Sequence, residues 1–540
     1  MLLGFVEGFF VKIPMGLGKV LANVMKRRSF YWTLGTLLIL VLFSAGSFWV
    51  VQHVQILKKV TSYRDLRWLI PLLYAEYLLM TAPIFFLFAS TKQIKLTRGL
   101  VPERKIKFSP KQMQVSRSEV FPDRVFLGRS MWTKRSCYLS TEMRKMHCHV
   151  VGSTGSGKTD SVILPLFIQD IQRGTGALIM DAKGDLETLN KIHYHAKKSG
   201  REKDFLFFSL AYPKKSNTYN PLYRGSSTEL KDKIISSNIW TEEYYKKKAE
   251  ETLLLLMKGL HEVNQIVTFE KLYELLASER KLLELTKQLK DSRVKEALFA
   301  MLRRYSLFQR EHVGLKADLV NIVEGDFAQI VSLEKAQIDL LDAYQKKQIV
   351  YFQLNTQGFE ETARRFGRII LQDLKTVSNH IQSYLPEKER SFFPVYVDEF
   401  SNFAYEPFIE FLNKARGAHF GITMAHQSLG DLQKAGDHFL KQVIENSNIK
   451  IILRQDDPQS IETYSRISGT EKTFKDTVQV QDDFVSQDPT GMGTVRVVDE
   501  FRLKPNTIRE LGRGEAGIII KQPHHIDLLQ LDYVGDIPME

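Results

Sequence analysis

The stretch that decides the fold is Met146-His147-Cys148-His149-Val150-Val151-Gly152-Ser153-Thr154-Gly155-Ser156-Gly157-Lys158-Thr159. An apolar, strand-like lead-in runs into glycines spaced G-x-x-x-x-G-K-[ST], and a helix-compatible run, Ser161-Val162-Ile163-Leu164, follows. This is the pattern of a P-loop. Gly152, Gly155 and Gly157 let the backbone curl so that its N–H groups, with those of Ser153, Thr154 and Ser156, face a phosphate at the positive end of the next helix. Lys158 is expected to reach the β/γ-phosphates, and the Thr159 hydroxyl to ligate Mg²⁺. A chance glycine-rich turn does not explain the full pattern in strand–turn–helix order.

Working outward, Ala177-Leu178-Ile179-Met180-Asp181-Ala182-Lys183-Gly184-Asp185 reads as a buried strand ending in charges and glycine. Ligands gather at the carboxyl ends of parallel strands, so Asp181, Lys183 and Asp185 are expected near the nucleotide or its subunit interface. Phe205-Leu206-Phe207-Phe208 is the next strand and leads to Asn220-Pro221-Leu222. From 225 to 346 the period becomes helical, with Leu253, Leu254, Leu256, Met257 and Leu260, then Leu272, Leu275 and Leu276. This predicts an all-α domain inserted into an α/β core. The core resumes at Ile349–Leu354 and continues through a long helix containing Ile369 and Leu371. It then reaches Phe392-Phe393-Pro394-Val395-Tyr396-Val397-Asp398-Glu399, an apolar strand delivering two carboxylates in the manner of a Walker B. Asp398 is expected in the Mg²⁺ shell, with Glu399 as general base or water-positioner. The strand Gly421–Gln427 places Gln427 where it can sense a γ-phosphate. The remaining chain reads as a strand at Ile449–Arg454, a β-hairpin around Gly491 and Gly493, and a closing strand at Ala516–Ile520.

At 540 residues the chain exceeds one ordinary core. Its two cysteines, Cys137 and Cys148, form no disulfide framework and suit a reducing compartment. A metal site drawing on Cys137, His147, Cys148 and His149 competes with a simpler reading, alternation along a buried strand. The net charge of +13 is concentrated: between Lys92 and Lys145 fourteen basic residues face four acidic ones. That window reads either as a contact for anionic lipid heads or as an entrance for a phosphate backbone. Residues 1–92 form an expected membrane anchor, with spans at about 33–53 and 68–90. Thr33–Gln52 carries no charge, and Trp68–Thr91 carries only Glu76. The basic flanks, and a nucleotide-binding domain that must face the cytoplasm, orient this hairpin with both of its ends on the cytoplasmic side. The first thirty residues, apolar with scattered lysines, resemble neither a cleavable signal nor a clean span.

The P-loop, the Asp181–Asp185 strand end, Asn220-Pro221-Leu222, Asp398-Glu399 and Arg416 eleven residues before Gln427 together resemble the type IV secretion coupling proteins of the TraG/TraD family. The resemblance spans nearly the whole chain and implies an α/β fold. Its core is a RecA-like P-loop ATPase, split into 93–224 and 347–540 around the all-α domain and preceded by the two-helix transmembrane anchor. It further implies a homohexameric, ATP- and Mg²⁺-dependent motor that receives single-stranded DNA with a covalently attached relaxase and passes it to the secretion channel. Lys158, Thr159, Asp398 and Glu399 then carry hydrolysis, and Arg416 matches the arginine-finger position that reaches the adjacent subunit's nucleotide. The all-α domain is placed over the pore. Two departures are visible. Asp185 stands where Glu is common, and the chain ends soon after the core, so recruitment through a long acidic tail is not expected.

Other functions share parts of this pattern. A protein-effector-translocating ATPase of the same machinery differs only in cargo. An FtsK-like partitioning motor calls for more spans and a winged-helix tail, and an ABC transporter calls for a signature ahead of Asp398. A non-hydrolysing, nucleotide-dependent scaffold has no need of Glu399.

Overall fold

The computed structural model describes residues 120–483 and 486–535. The proposed spans, Glu76 and the basic window as far as residue 119 lie outside these residues. Among the described residues no helix is long and apolar enough to cross a membrane.

The strands, in chain order, are β1 (Arg124–Ser130), β2 (Ser136–Ser140), β3 (Cys148–Val151), β4 (Ala177–Asp181), β5 (Phe205–Ser209), β6 (Ile349–Gln353), β7 (Phe393–Asp398), β8 (Phe420–His426), β9 (Ile449–Ile452), β10 (Thr470–Asp483), β11 (Ser486–Phe501), β12 (Glu515–Ile520) and β13 (His525–Leu531). All but β10 and β11 join one eleven-stranded sheet in the order β2-β1-β13-β12-β9-β3-β8-β7-β4-β6-β5. From β9 to β5 every pairing is parallel. The β12, β13, β1 and β2 ribbon extends that sheet in antiparallel fashion. Strands buried on both faces must be apolar throughout, which is why β3, β4, β6, β7 and β8 read as continuous hydrophobic runs. Alternate residues feed opposite faces. Val150, Ile179, Tyr351 and Tyr396 pack with the helix Leu164–Gln172. Val151, Met180, Phe352 and Val397 pack with the long helix Thr356–Tyr384.

Between β5 and β6 the chain is helical from Ser227–Ser237 to Leu340–Gln345. Its starts are set by short polar caps: Ser226 and Glu229 form a reciprocal capping box, while Thr268, Ser278 and Asp291 each accept from the first turn of the helix they precede. Leu253, Leu256, Met257, Leu260, Leu272, Leu275 and Leu276 are buried on a shared core. A buried Lys233 fastens the segment to the core. Its ammonium donates to the carbonyls of Pro221 (2.8 Å) and Arg224 (2.7 Å) and to Asp373 Oδ1 (2.7 Å) on the long helix. Tyr219 donates to the other oxygen of Asp373 at 2.6 Å.

Two expectations change here. β10 and β11 stay paired as far as Asp483 and Ser486, so Gly491 and Gly493 lie inside β11. The ladder shifts between the pairs Val478–Gly493 and Val480–Pro489. These glycines therefore mark a bulge inside a strand, which is the other use of glycine in extended chain. Part of the basic window is also not surface. Arg144 is 3% exposed, forked onto Asp170 at 2.8 and 2.6 Å with Tyr396 Oη at 2.6 Å.

Candidate nucleotide site

The sheet order brings the scattered motifs to one place. β3 lies beside β8, and β7 is the strand beyond, so the loops leaving the carboxyl ends of all three converge on one crevice. The loop after β3 is tethered at its start: Gly152 N–H donates to the His426 carbonyl (3.3 Å) and Ser153 N–H to that of Arg454 (2.8 Å). Gly155 and Gly157 sit at φ +76° and +97°, where a side chain is strained. Gly152 is required for space: a Cβ there would lie 2.5 Å from Ser156 Oγ and 2.9 Å from Leu453 Cβ. The loop runs into a wide turn at Thr159–Ile163 and then the helix Leu164–Gln172.

Lys158 is buried, with its ammonium folded onto the Gly152 carbonyl at 2.7 Å. Burial pulls its pKa down, against the attraction of Glu399 and Asp398. Thr159 Oγ1 donates to Asp398 Oδ2 at 2.6 Å. Burial raises Asp398 to about 6, opposed by that hydroxyl and assisted by the nearby charges of Asp181 and Glu399. Glu399 stands at φ 50°, ψ 47°, in the left-handed region. That conformation is unusual for this residue type and marks a site where surrounding structure holds the chain. The Glu399 carboxylate meets Lys183 Nζ at 3.1 Å and Gln427 Nε2 at 3.4 Å. Gln427 Oε1 in turn accepts from Thr154 Oγ1 at 3.0 Å. The residues named from sequence on β3, β7 and β8 thus form one connected set, from P-loop to Gln427 to Glu399 to Lys183.

Asp181 lies beneath this set, not within it. Its carboxylate accepts from the N–H groups of Lys183 (2.8 Å) and Asp185 (3.3 Å) and from Tyr351 Oη (2.7 Å). It shapes the loop that carries Lys183, and burial raises its pKa despite these bonds. Asp185 caps the helix Leu186–Lys198. Arg416 is not brought to the site: it is exposed ahead of the amino end of β8, while the P-loop lies at the carboxyl ends. His147 accepts the Ile422 N–H and donates to the Leu412 carbonyl, so its ring nitrogens are committed to backbone.

Sequence reading missed several contributors. Arg513, from the turn before β12, lies 3.2 Å from Asp160 Oδ2, over the Tyr533 ring. Nothing in its local sequence points to the P-loop. His149 and His426 face each other directly under the loop; both were visible in the strands, but only the pairing of β3 with β8 joins them.

The donor set fits a nucleotide with Mg²⁺. A hydroxyl and a carboxylate 2.6 Å apart are hard oxygen ligands of the kind this ion takes alongside phosphate. The hydroxyls of Ser153 and Ser156 in the loop are buried without a hydrogen-bond partner, and buried polar groups are normally paired.

Comparisons with known proteins bear on the fold that carries this site. The model of the family described as the TraM recognition site of TraD and TraG matches residues 393–508, a stretch holding Asp398, Glu399, Arg416 and Gln427. The type 4 coupling protein DotL of Legionella pneumophila subsp. pneumophila (strain Philadelphia 1) is 22% identical over 510 residues, covering 83% of this chain and 65% of its own length. The chain thus spans 65% of that relative. The unbound bacterial conjugative coupling protein TrwBdeltaN70 superposes with a TM-score of 0.52 at 14% identity, over 74% of this chain and 89% of that one. TrwB in complex with ADP and Mg²⁺ gives 0.51 at 15%, over 74% and 88%. At such identities these structures speak for the fold, a P-loop α/β core with a large mixed sheet. Fold, DotL match and family model together show a chain similar to the type IV coupling proteins.

Proposed function

We propose that the chain is an ATP-hydrolysing coupling motor of a type IV secretion system that moves relaxase-bound single-stranded DNA toward the channel. In this reading it is anchored in the inner membrane by spans at about 33–53 and 68–90 and works as a homohexamer with its ATPase domain in the cytoplasm. The observation that carries the reading is the connected set Thr154–Gln427–Glu399–Lys183 beside the Thr159–Asp398 contact. A pure nucleotide binder has no use for a carboxylate held by an amide and an ammonium at that point. The solved TrwB complex with ADP and Mg²⁺ supports the choice of cofactor.

Each residue then has a physical task. Lys158 leaves the Gly152 carbonyl for the β/γ-phosphates. Thr159 and Asp398 hold Mg²⁺, which when bound offsets the charge on the phosphate oxygens. Glu399 orients the attacking water and accepts its proton, while Lys183 pairs with the carboxylate and Gln427 fixes its direction. Arg416, exposed at the other end of β8, is available to an adjacent subunit's nucleotide.

The test is ATP turnover by the full chain in detergent or bilayer discs, with and without single-stranded DNA. Wild type is expected to hydrolyse ATP faster with DNA and at rising protein concentration. Lys158→Ala should abolish turnover and Arg416→Ala should remove the concentration dependence. Turnover indifferent to DNA would favour a protein cargo.

Asp398 gives a second prediction, on pH. Between its unfolded value near 3.8 and its folded value of about 6, the folded chain holds a proton that the unfolded chain has released. The metal-free protein therefore loses stability as pH rises through that window. Mg²⁺ needs the carboxylate and so has the opposite sign: the gain in nucleotide affinity on adding Mg²⁺ should shrink as pH falls below about 6. Calorimetric ADP titrations with and without Mg²⁺ across that range check it, and an unchanged gain would count against Asp398 as a ligand.

A further inference from the structure

Beneath the P-loop, His149 on β3 and His426 on β8 are both fully buried and nearly coplanar, their ring centroids 4.7 Å apart and their planes at 19°. Val151 pairs with His426 in the parallel register and Met424 with His149, so the two rings project from the same face on neighbouring strands. Their Nε2 atoms are in direct hydrogen-bond contact. His426 Nδ1 lies 2.8 Å from the Ser428 carbonyl, and His149 Nδ1 lies 3.4 Å from the hydroxyl of Tyr464 on the helix Pro458–Ser468.

One proton arrangement satisfies this chain for neutral rings. A carbonyl only accepts, so His426 carries its proton on Nδ1 and presents a bare Nε2. His149 must then donate from Nε2, leaving its Nδ1 to accept from Tyr464. Burial keeps both rings neutral: it lowers His426 to about 4 and His149 well below the ordinary range. The consequence reaches the next residue. The bond from His426 to Ser428 spans Gln427, whose amide reaches Thr154 on one side and Glu399 on the other. Ser428 begins the helix Leu429–Gln433, with Asp431 completing a capping box. Moving His149, two residues short of the P-loop's own strand end, would release the ring that fixes this turn.

We infer that His149 and His426 are positioning residues that lock Gln427 against the P-loop, tying the strand that carries the phosphate loop to the turn that aims the glutamine. Neither is a catalytic residue, since neither reaches the crevice. The activity arm of the test rests on the hydrolytic reading above.

The experiment compares full-length wild type with His149→Phe, which keeps a ring of similar size but no nitrogen, and His149→Gln, whose side-chain amide can donate toward His426 Nε2. His149→Phe is expected to lower kcat for ATP about tenfold or more, the order that misplacement of a catalytic group produces, with KM nearly unchanged. His149→Gln should recover most of that loss. Amide hydrogen exchange, read without turnover, should quicken at 427–433 in the phenylalanine variant and not in the glutamine variant. Wild-type-like kcat and exchange in His149→Phe would overturn the inference, as would a glutamine variant no better than phenylalanine. If wild type itself shows no Lys158-dependent turnover, the hydrolytic reading fails and exchange alone decides. Should His149→Phe not fold, His426→Asn keeps a donor toward Ser428, but its shorter side chain has no atom at the Nε2 position to accept from His149. It is then expected to reproduce the kcat and exchange effects, and wild-type behaviour would overturn the inference.

Discussion

Glu399→Gln should lower ATP turnover by about 10²–10⁴-fold, the range a positioned general base contributes, while nucleotide binding stays close to wild type. The substitution keeps the shape of the side chain and its left-handed backbone, φ 50°, and removes only the capacity to take a proton. Lys183 then loses the carboxylate it meets at 3.1 Å. Because Lys183 is half exposed, 54%, water can solvate the freed ammonium, so the change should cost little stability. Single-turnover chemistry should fall as far as steady-state turnover. A variant retaining more than about a tenth of wild-type kcat would remove Glu399 from the role of base and leave it one of orientation.

The largest stability effect is expected at Asp170. This carboxylate is fully buried and accepts both forks of Arg144, at 2.8 and 2.6 Å. Tyr396 Oη also lies against it, and Arg173 is 3.4 Å away. Two arginines with side chains 3% and 4% exposed thus depend on one acid. Asp170→Ala leaves cationic groups without a counter-charge in the core, and breaking a buried pair in this way costs about 3–5 kcal/mol. Denaturant midpoints should show a loss of that order. The paired substitution Arg144→Met with Asp170→Leu should recover only part of it, because Arg173 keeps its charge without the acid, and adding Arg173→Met should recover most of the rest. An Asp170→Ala protein within about 1 kcal/mol of wild type would mean that water reaches the pair.

Much of the site could be read from sequence because its parts are contiguous. Gly152–Thr159 and Asp398-Glu399 each sit at the end of one apolar run, and a parallel sheet puts such ends along the same edge. What depended on strand order was not legible. His149 and His426 are ordinary buried-strand histidines until β3 and β8 are known to be neighbours. Arg513 reaches Asp160 only because β12 folds back beside β9. Arg144 shows the limit of charge counting, since a window of basic residues does not reveal which of them turns inward to meet Asp170. The glycines at 491 and 493 show another: glycine permits a turn and a bulge alike, and the pairing of β10 with β11 decides between them. The strands β1, β2 and β13 of the antiparallel side were missed because short runs such as Arg124–Ser130, with charges and a glycine inside, carry little periodic signal.

The sheet order also sets a timetable for biosynthesis. The strand that bears the phosphate loop has its two neighbours, β8 and β9, about 270 and 300 residues downstream, as the pairs Val151–His426 and Val151–Ile452 show. At about 5–20 residues per second, a ribosome needs roughly 15–60 s to supply them. During that interval Cys148–Val151 has an apolar sequence and no partner on either edge, the kind of segment that pairs with foreign chains. Nascent copies of this protein should therefore depend on holding chaperones for longest while residues between β3 and β8 are being made.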